Sequence, residues 1–159
     1  MLESIIGPES IVLELQSESK DELFSEMVEN IVRRNGVFDR ETILAAIEER
    51  EERKNTCIMP GVAVPHANVP SLKKSEVVLG ISRAGIDYEL DGMLSSSKEN
   101  FVHLVFMFLF DPDNTQDHLD LLADCAMLLG NPAFYADIMK AKDVHEVCSI
   151  IKEIEYGET

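Results

Sequence analysis

Basic side chains are scarce in this chain of 159 residues, which carries 14 Lys and Arg against 30 Asp and Glu and has a formal net charge of −16. Nucleic acids and anionic membranes attract proteins through Lys and Arg, so the sequence predicts neither as a partner. A charge of this size and sign favours instead a partner with a basic face.

Cysteine and long apolar runs are also few. Cys57, Cys125 and Cys148 are an odd number without CxxC spacing, which argues against a disulfide framework and a cysteine-based zinc site. The longest apolar run, 101–110, contains a histidine and is about half of a membrane span. The N-terminal sequence has no basic stretch followed by an apolar one. We therefore expect no signal peptide, no membrane insertion and a cytoplasmic location.

The rest of the composition is that of a folded protein. Hydrophobic residues make up 45% and charged residues 28% of the chain, and no repeat or low-complexity linker divides it. The length predicts a single domain over residues 1–159. Strand patterns are mixed with helical patterns, and the apolar run 101–110 is typical of a central strand covered on both faces. We predict an α/β fold in which helices flank a sheet on both faces.

Local patterns give the approximate limits of the elements. Strands are predicted at 11–15, 62–64, 77–82 and 101–110, with a short edge strand near 88–90. Helices are predicted to start at Ser19, Asp39, Thr115, Asn131-Pro132 and Asp143. The inner face of the third helix is predicted to consist of Leu119, Leu122, Cys125, Ala126 and Leu129.

His66 is the first candidate for chemistry. It follows the strand 62–64, and Pro65 restrains both the end of that strand and the direction in which the imidazole leaves it. Sites in open α/β sheets lie outside the carboxyl ends of strands, where His66 is expected to project from a loop. The alternative is a surface histidine without a role.

Arg50 and His118 are the next candidates. Arg50 lies seven residues after Ile43 and three after Ile47, on the stripe of the second helix that faces the core. An arginine there needs an anion, and the alternative is a structural ion pair with a carboxylate. His118 lies in the first turn of the third helix, in phase with Leu122, and is predicted to point inward. Its alternative is a hydrogen-bonded core histidine.

The other charged residues and histidines are given ordinary roles. The acidic and basic neighbours of Arg50, Glu51 among them, are interpreted as a solvated helix end. His103 is assigned to the core and His145 to the surface.

Two histidines and an arginine at the margin of one sheet indicate an anion site with a nucleophile. Neutral imidazole can attack phosphorus, and phosphoryl transfer needs positive groups for the equatorial oxygens. No GxxxxGK[ST] loop is present, so direct use of a nucleotide is not expected. The alternative is a small metal-dependent hydrolase with a metal on His66, His118 and a carboxylate, although no HxxxH or HxH spacing supports it.

These residues stand in the pattern of a known family. Arg50-Glu51, followed by TCIMPGVAVPH at 56–66, resembles the signature of enzyme IIA of the phosphoenolpyruvate-dependent sugar phosphotransferase system. The resemblance is to the mannitol/fructose type, which includes the nitrogen-regulatory branch. Asp91-Gly92, VHLVF at 102–106 and Asp117-His118 resemble the second half of that pattern, and VHLVF resembles the fructose-like group.

The resemblance implies a phosphohistidine carrier with a mixed sheet flanked by helices, and no metal or dissociable cofactor. The residue matching His66 would accept a phosphoryl group on Nε2 from the phosphocarrier protein HPr or its nitrogen-branch counterpart. It would then pass the group to a cysteine or histidine of an enzyme IIB domain. The residue matching His118 would hydrogen-bond the phosphoryl oxygens, and the one matching Arg50 would supply positive charge.

The resemblance leaves two functions open. One is the phosphocarrier, and the other is a regulatory binding module in which phosphorylated and free His66 select different protein partners. The sequence also departs from the family pattern at two places. Cys57 and Met59 occupy positions where glycine is common, and the stretch 91–100 is longer than usual.

Overall fold

The structure, a computed structural model, describes residues 2–36, 38–70, 72–89 and 100–157. Within these ranges the chain forms six strands: β1 (Ile11–Val12), β2 (Cys57–Met59), β3 (Val62–Ala63), β4 (His66–Asn68), β5 (Glu76–Ile86) and β6 (Val102–Phe110). It also forms five α-helices: α1 (Lys20–Arg34), α2 (Arg40–Arg53), α3 (Thr115–Gly130), α4 (Phe134–Lys140) and α5 (Val144–Glu155). Two 3₁₀ turns, Leu2–Ser4 and Pro8–Ser10, precede β1.

The strands form one mixed sheet with β6 near its centre. The strand order is β1–β5–β6–β3–β2, and β4 also pairs with β6. The β5–β6 and β2–β3 pairs are antiparallel, whereas β1 runs parallel to β5, and β3 and β4 run parallel to β6. The predicted α/β class is therefore confirmed, and the sheet is mixed as the family resemblance implies.

Alternate side chains of β6 enter two separate cores. The even-numbered residues from Leu104 to Phe110 pack with apolar residues of α3, α4 and α5 on one face of the sheet. The odd-numbered residues from Val105 to Leu109 pack with α1 and α2 on the other face. Because both faces of β6 are covered, its sequence is almost entirely apolar.

β3 and β4 form one strand that is interrupted at Pro65. Val62 pairs with Leu104 and His66 pairs with Phe108, so both segments keep the same register along β6. Pro65 has no N–H to offer, but its carbonyl oxygen accepts a hydrogen bond of 3.0 Å from the Phe108 N–H. His66 is therefore the first residue of a strand. Its predicted position in a loop was wrong, because the extended backbone at a proline lets the ladder resume.

Side-chain caps begin three of the helices. The Ser19 and Asp143 side chains accept hydrogen bonds from the backbone N–H three residues later, as predicted for α1 and α5. α3 is capped by Asn114, which accepts from the Asp117 N–H at 3.0 Å. Thr115, the predicted cap, is already the first helical residue. α4 begins at Phe134, a little after the predicted Asn131-Pro132 start.

The inner face of α3 differs from the predicted one. Leu121, Cys125 and Leu128 are buried. Leu119 is 57% exposed, and Ala126 is exposed as well. Apolar residues cover most of the circumference of this helix, so helical spacing alone did not identify the stripe that packs on the sheet.

Two strands also differ in length from their predictions. β1 has two residues in the ladder instead of five, although the Leu15 N–H still donates to the Ile81 carbonyl oxygen at 2.8 Å. β5 extends to Ile86 and is followed by an isolated bridge between Asp87 and Ser19. Residues 88 and 89 are not in a strand, so this part of the predicted edge strand was wrong. Residues 90–99, with the Asp91-Gly92 motif, lie outside the described residues.

Candidate functional site

His66 presents one ring nitrogen to the face of the sheet that α3 covers. Its Nδ1 lies 2.8 Å from the Val64 carbonyl oxygen. A carbonyl oxygen can only accept, so Nδ1 carries the proton of the neutral ring and Nε2 keeps its lone pair. The ring meets Phe110 edge-on, with the ring centroids 5.9 Å apart. The arrangement presents Nε2 as the nucleophilic atom.

His118 reaches the same place from the start of α3. Its ring centroid is 6.0 Å from that of His66. It stacks on Phe110, with 3.8 Å between centroids and an angle of 10° between the ring planes. Phe110 is the last residue of β6, so the end of the central strand and the first turn of the next helix bring the two histidines side by side.

Arg50 comes from the opposite layer, near the C-terminus of α2. Its side chain is half-buried, and Nη1 donates a hydrogen bond of 2.9 Å to the Lys54 carbonyl oxygen. No carboxylate of the described residues forms an ion pair with it. The positive charge of Arg50 is therefore available to an anion that binds at this site.

A cavity of about 260 Å³ joins these elements. It is lined by side chains from the end of α2 and the segment after it, from β2, from the two residues that flank Pro65, and from α3: Arg50, Lys54, Asn55, Thr56, Ile58, Val64, His66, Leu122, Cys125 and Ala126. Two of the predicted site residues, Arg50 and His66, line this cavity, and His118 lies against His66.

The surroundings favour the neutral form of both histidines. Burial lowers the pKa of His66, and the nearby charges of Arg50 and His118 lower it further. The hydrogen bond to Val64 and the charge of Glu51 act in the opposite direction, but the net shift is downward. Burial also lowers the pKa of His118. At neutral pH the Nε2 lone pair of His66 is therefore available.

Glu51 is a buried member of this region that the sequence analysis wrongly placed in solvent. Its exposed fraction is 8%. The carboxylate accepts hydrogen bonds from the Thr56 N–H and hydroxyl and from the Tyr88 hydroxyl, and it pairs with Lys20 Nζ. A signal was present in the sequence, because Glu51 follows Ile47 by four residues on the stripe that faces the core.

Large apolar side chains are exposed on the two elements that flank the cavity. We call this group the apolar rim; it consists of Ile58 and Met59 on β2 and Leu119 and Met127 on α3. Their exposed fractions range from 37% for Met59 to 62% for Met127. Ile58 lines the cavity itself, and large apolar side chains exposed beside a cavity are typical of a surface that contacts another protein.

The other candidates have simpler surroundings. His103 is half-buried on β6, with Nδ1 2.8 Å from the Ser82 carbonyl oxygen, and His145 is exposed as predicted.

Burial raises the pKa of Cys125 to about 12, so this thiol stays protonated beside the cavity. Among the residues that the structure describes, no three His, Cys, Asp or Glu side chains are grouped to hold a metal ion. No helix in that part of the chain is long and apolar enough to cross a bilayer.

Comparison with known sequences identifies the family. The sequence model described as "Phosphoenolpyruvate-dependent sugar phosphotransferase system, EIIA 2" matches residues 4–154. The chain is 29% identical to the fructose-specific EIIABC component of the phosphotransferase system of Bacillus subtilis, over 94% of this chain and 22% of that longer protein. It is 27% identical to the nitrogen regulatory protein of Bradyrhizobium diazoefficiens, over 92% of each chain.

Solved structures share the fold. The nitrogen regulatory protein IIA-Ntr of Neisseria meningitidis superimposes with a TM-score of 0.82 at 22% identity, over 94% of this chain and 98% of that one. In the complex of enzyme IIAMTL with phosphorylated enzyme IIBMTL from Escherichia coli, the matched chain gives a TM-score of 0.72 at 20% identity, over 92% and 96%. With the family match over 4–154, these findings lead to one conclusion: the chain belongs to the mannitol/fructose-type enzyme IIA family of the sugar phosphotransferase system, a family involved in phosphoryl transfer.

Proposed function

We propose that this chain is a phosphocarrier that takes a phosphoryl group from HPr onto Nε2 of His66 and passes it to an enzyme IIB domain. The observation that carries the proposal is the hydrogen bond between His66 Nδ1 and the Val64 carbonyl oxygen, which leaves Nε2 unprotonated. We further propose that residues 1–159 act as one enzyme IIA domain in the cytoplasm. The family match over residues 4–154 supports the single domain.

The proposed step exchanges one N–P bond for another. The Nε2 lone pair of His66 attacks the phosphorus of the donor's phosphohistidine. The N–P bond of the donor breaks, its electron pair returns to the donor ring, and the phosphoryl group is then held on His66. Arg50 supplies positive charge and His118 supplies an N–H for the phosphoryl oxygens, which is the stabilisation that this transition state needs.

The surface around the cavity supports the proposal that both the phosphoryl donor and the phosphoryl acceptor are proteins. The apolar rim offers contact area, and the net charge of −16 attracts a donor with a basic face. The Escherichia coli complex described above pairs a chain of this fold with a phosphorylated enzyme IIB. Enzyme IIB is therefore the acceptor that we propose.

A phosphorylation assay tests the proposal. With phosphoenolpyruvate, enzyme I and HPr, the protein should gain one acid-labile phosphoryl group, detected by intact mass. His66→Ala should abolish the labelling because the attacking nitrogen is lost. His118→Ala should slow it on the order of a hundredfold, because one donor to the developing charge is missing.

His145→Ala is the matched control, because it removes an exposed imidazole outside the cavity lining. It should be labelled at the wild-type rate. Labelling of His66→Ala at the wild-type level would contradict the choice of residue. Failure of the wild type to accept phosphate from any HPr-like donor would contradict the phosphocarrier function.

A regulatory binding module is the second candidate, and the 27% identity to a nitrogen regulatory protein over nearly the whole chain favours it. A phosphoryl group on His66 adds negative charge and acceptor oxygens at the cavity, which is sufficient to change the choice of partner. The two candidates differ after labelling. Loss of the phosphoryl group to an added enzyme IIB domain supports the phosphocarrier, whereas a stable phosphoprotein in the presence of such domains supports the regulatory module.

A further inference from the structure

We propose that Glu51 is a positioning residue, which orients the His66 imidazole through the backbone of Thr56 and Val64. The proposal rests on the proposed function of His66, and it adds a residue that does not touch the phosphoryl group. Its basis is a continuous set of hydrogen bonds that leads from the Glu51 carboxylate to the ring.

Both oxygens of the Glu51 carboxylate are occupied. Oε1 accepts from the Thr56 hydroxyl at 2.6 Å and from the Tyr88 hydroxyl at 3.1 Å. Oε2 accepts from the Thr56 backbone N–H at 2.9 Å and from Lys20 Nζ at 3.3 Å. A buried carboxylate is tolerated only when its oxygens are bonded in this way, so the network is specific for an ionised acid at this position.

The set continues from Thr56 to the ring. Thr56 is held by Glu51 at its amide and at its hydroxyl, so the direction of its carbonyl group is restrained. The Thr56 carbonyl oxygen accepts from the Val64 N–H at 2.9 Å. The Val64 carbonyl oxygen in turn lies 2.8 Å from His66 Nδ1. Two backbone residues therefore connect the carboxylate to the imidazole.

The central strand restrains the same segment from its other side. Phe108 donates to the Pro65 carbonyl oxygen at 3.0 Å, and β4 pairs with β6 from His66 onward. These bonds restrain the His66 backbone but leave rotation of the ring open. The Val64 carbonyl oxygen is the group that selects one ring orientation and one tautomer, and Thr56 determines where that oxygen lies.

Further contacts hold Glu51 in place. The Tyr88 side chain is fully buried, and its hydroxyl oxygen lies 2.7 Å from the Thr56 hydroxyl and 3.1 Å from Glu51 Oε1, so its one proton is shared between them. Lys20 Nζ lies 4.5 Å from the centre of the Tyr88 ring. The charge of Glu51 also acts on the ring directly, because it raises the pKa of His66 against the lowering by burial, Arg50 and His118. Removing the charge of Glu51 should therefore lower the pKa of His66, which distinguishes its loss from a change of packing.

Glu51→Gln tests the proposal, because the amide keeps the shape but loses the charge and turns a donor toward the Thr56 N–H or Lys20. Glu52→Gln is the matched control: it removes the same charge from the next position, where the side chain is exposed. The first readout is ¹⁵N NMR of the His66 ring in the unphosphorylated protein. We expect a predominant Nδ1–H tautomer in the wild type and Glu52→Gln, and a mixture of tautomers with a lower pKa in Glu51→Gln.

The second readout is the rate of phosphorylation by HPr. Glu51→Gln should lower the rate at saturating HPr on the order of tenfold to a hundredfold, with an apparent KM for HPr within about twofold of the control. The proposal would be overturned if Glu51→Gln folds and does not differ from Glu52→Gln in the His66 tautomer, in the His66 pKa or in the rate of phosphorylation.

A second pair of variants serves if Glu51→Gln does not fold. Thr56→Ser keeps the hydroxyl that bonds Glu51, whereas Thr56→Val loses it at similar volume. We expect the shift in tautomer in the valine variant and not in the serine variant, and equal behaviour of the two would overturn the proposal. The NMR readout needs no phosphoryl donor. If the wild type accepts no phosphate, the proposed function fails while the positioning role of Glu51 is still decided by the ring.

Discussion

The His66 ring combines a hydrogen bond that places its proton with surroundings that disfavour a second proton. Nδ1 lies against the Val64 carbonyl oxygen, while burial and the neighbouring Arg50 and His118 lower the pKa of the ring. The nucleophilic form of imidazole is the neutral one, so a lowered pKa keeps this form populated at lower pH. This has a direct consequence for the pH dependence of the proposed reaction.

We expect the NMR titration midpoint of His66 to lie below the usual imidazole value of about 6.5, and phosphate acceptance to fall only as the pH drops through that lowered midpoint. Arg50→Met should raise the midpoint, because removing a nearby positive charge makes protonation easier. Arg53→Met is the control, since Arg53 is exposed and pairs with Glu49. A wild-type midpoint at or above 6.5 would contradict the prediction.

His66, His118 and Arg50 could be chosen as candidates from the sequence, because proline, helix phase and an unexpected charge on an apolar stripe are local signals. Glu51 was missed for a related reason. It lies on the same stripe as Ile47, but its surroundings in the sequence are charged and resemble a solvated helix end. Its partner Thr56 lies beyond the end of α2, and Tyr88 is 37 residues after Glu51 along the chain, so helical spacing does not indicate that they meet.

At the scale of elements, the site depends on the junction between β6 and α3. Phe110 ends the strand and stacks on His118, which lies in the first turn of the helix. Asn114 caps this turn through the Asp117 N–H. The cap therefore stabilises the helix start on which His118 stands.

We expect Asn114→Ala to lower the free energy of unfolding by about 1 kcal/mol, because the cap hydrogen bond is lost. Thr115→Ala removes a side chain of similar size one residue later, where it makes no cap bond, and should change stability by less than about 0.5 kcal/mol. Urea denaturation measures both values. A larger loss in Thr115→Ala than in Asn114→Ala would show that the cap lies where the sequence had placed it.

The helix starts at Ser19 and Asp143 were predictable because each cap and its partner N–H lie within four residues. The continuation of the strand β3 across Pro65 was not. It depends on pairing with β6, and residues that meet there are 42 positions apart, as Val62 and Leu104 are. A register between such distant segments leaves no trace in local periodicity.

At the scale of the whole molecule, charge and apolar exposure act at different distances. The net charge of −16 acts over the range of the Debye length and steers an approaching partner. The apolar rim acts only on contact. Steering raises the rate of encounter more than it raises affinity.

We expect the second-order rate of phosphoryl transfer from HPr to fall about tenfold or more between low and high ionic strength, because salt screens the attraction to a basic donor face. The rate at saturating donor should change little, since the chemistry in the cavity is screened less. Stopped-flow measurements over a series of salt concentrations separate the two. A second-order rate that is independent of salt would contradict electrostatic steering.

The fold class was predictable at this scale because β6, which is apolar except for His103, already required cover on both faces. The strand order was not, since several orders satisfy the same pattern of strands and helices. The acidic balance was visible from composition alone, whereas the apolar rim depends on which stripe of α3 packs inward. Leu119 was placed in the core by its spacing and is found in the rim.

His66 belongs to a strand that shares its register with the segment before Pro65 and is bonded to the middle of the sheet. On the proposed function, a phosphoryl group would be added to and removed from a ring whose backbone is paired with the central strand, so we expect the surrounding sheet to keep its fold in both states. The free and the phosphorylated protein would then differ in the charge at the cavity rather than in the shape of the sheet. A partner that distinguishes the two states would then have to recognise the negative charge of the phosphoryl group, about −1.5 to −2 at neutral pH, and its affinity should fall once that charge has been transferred.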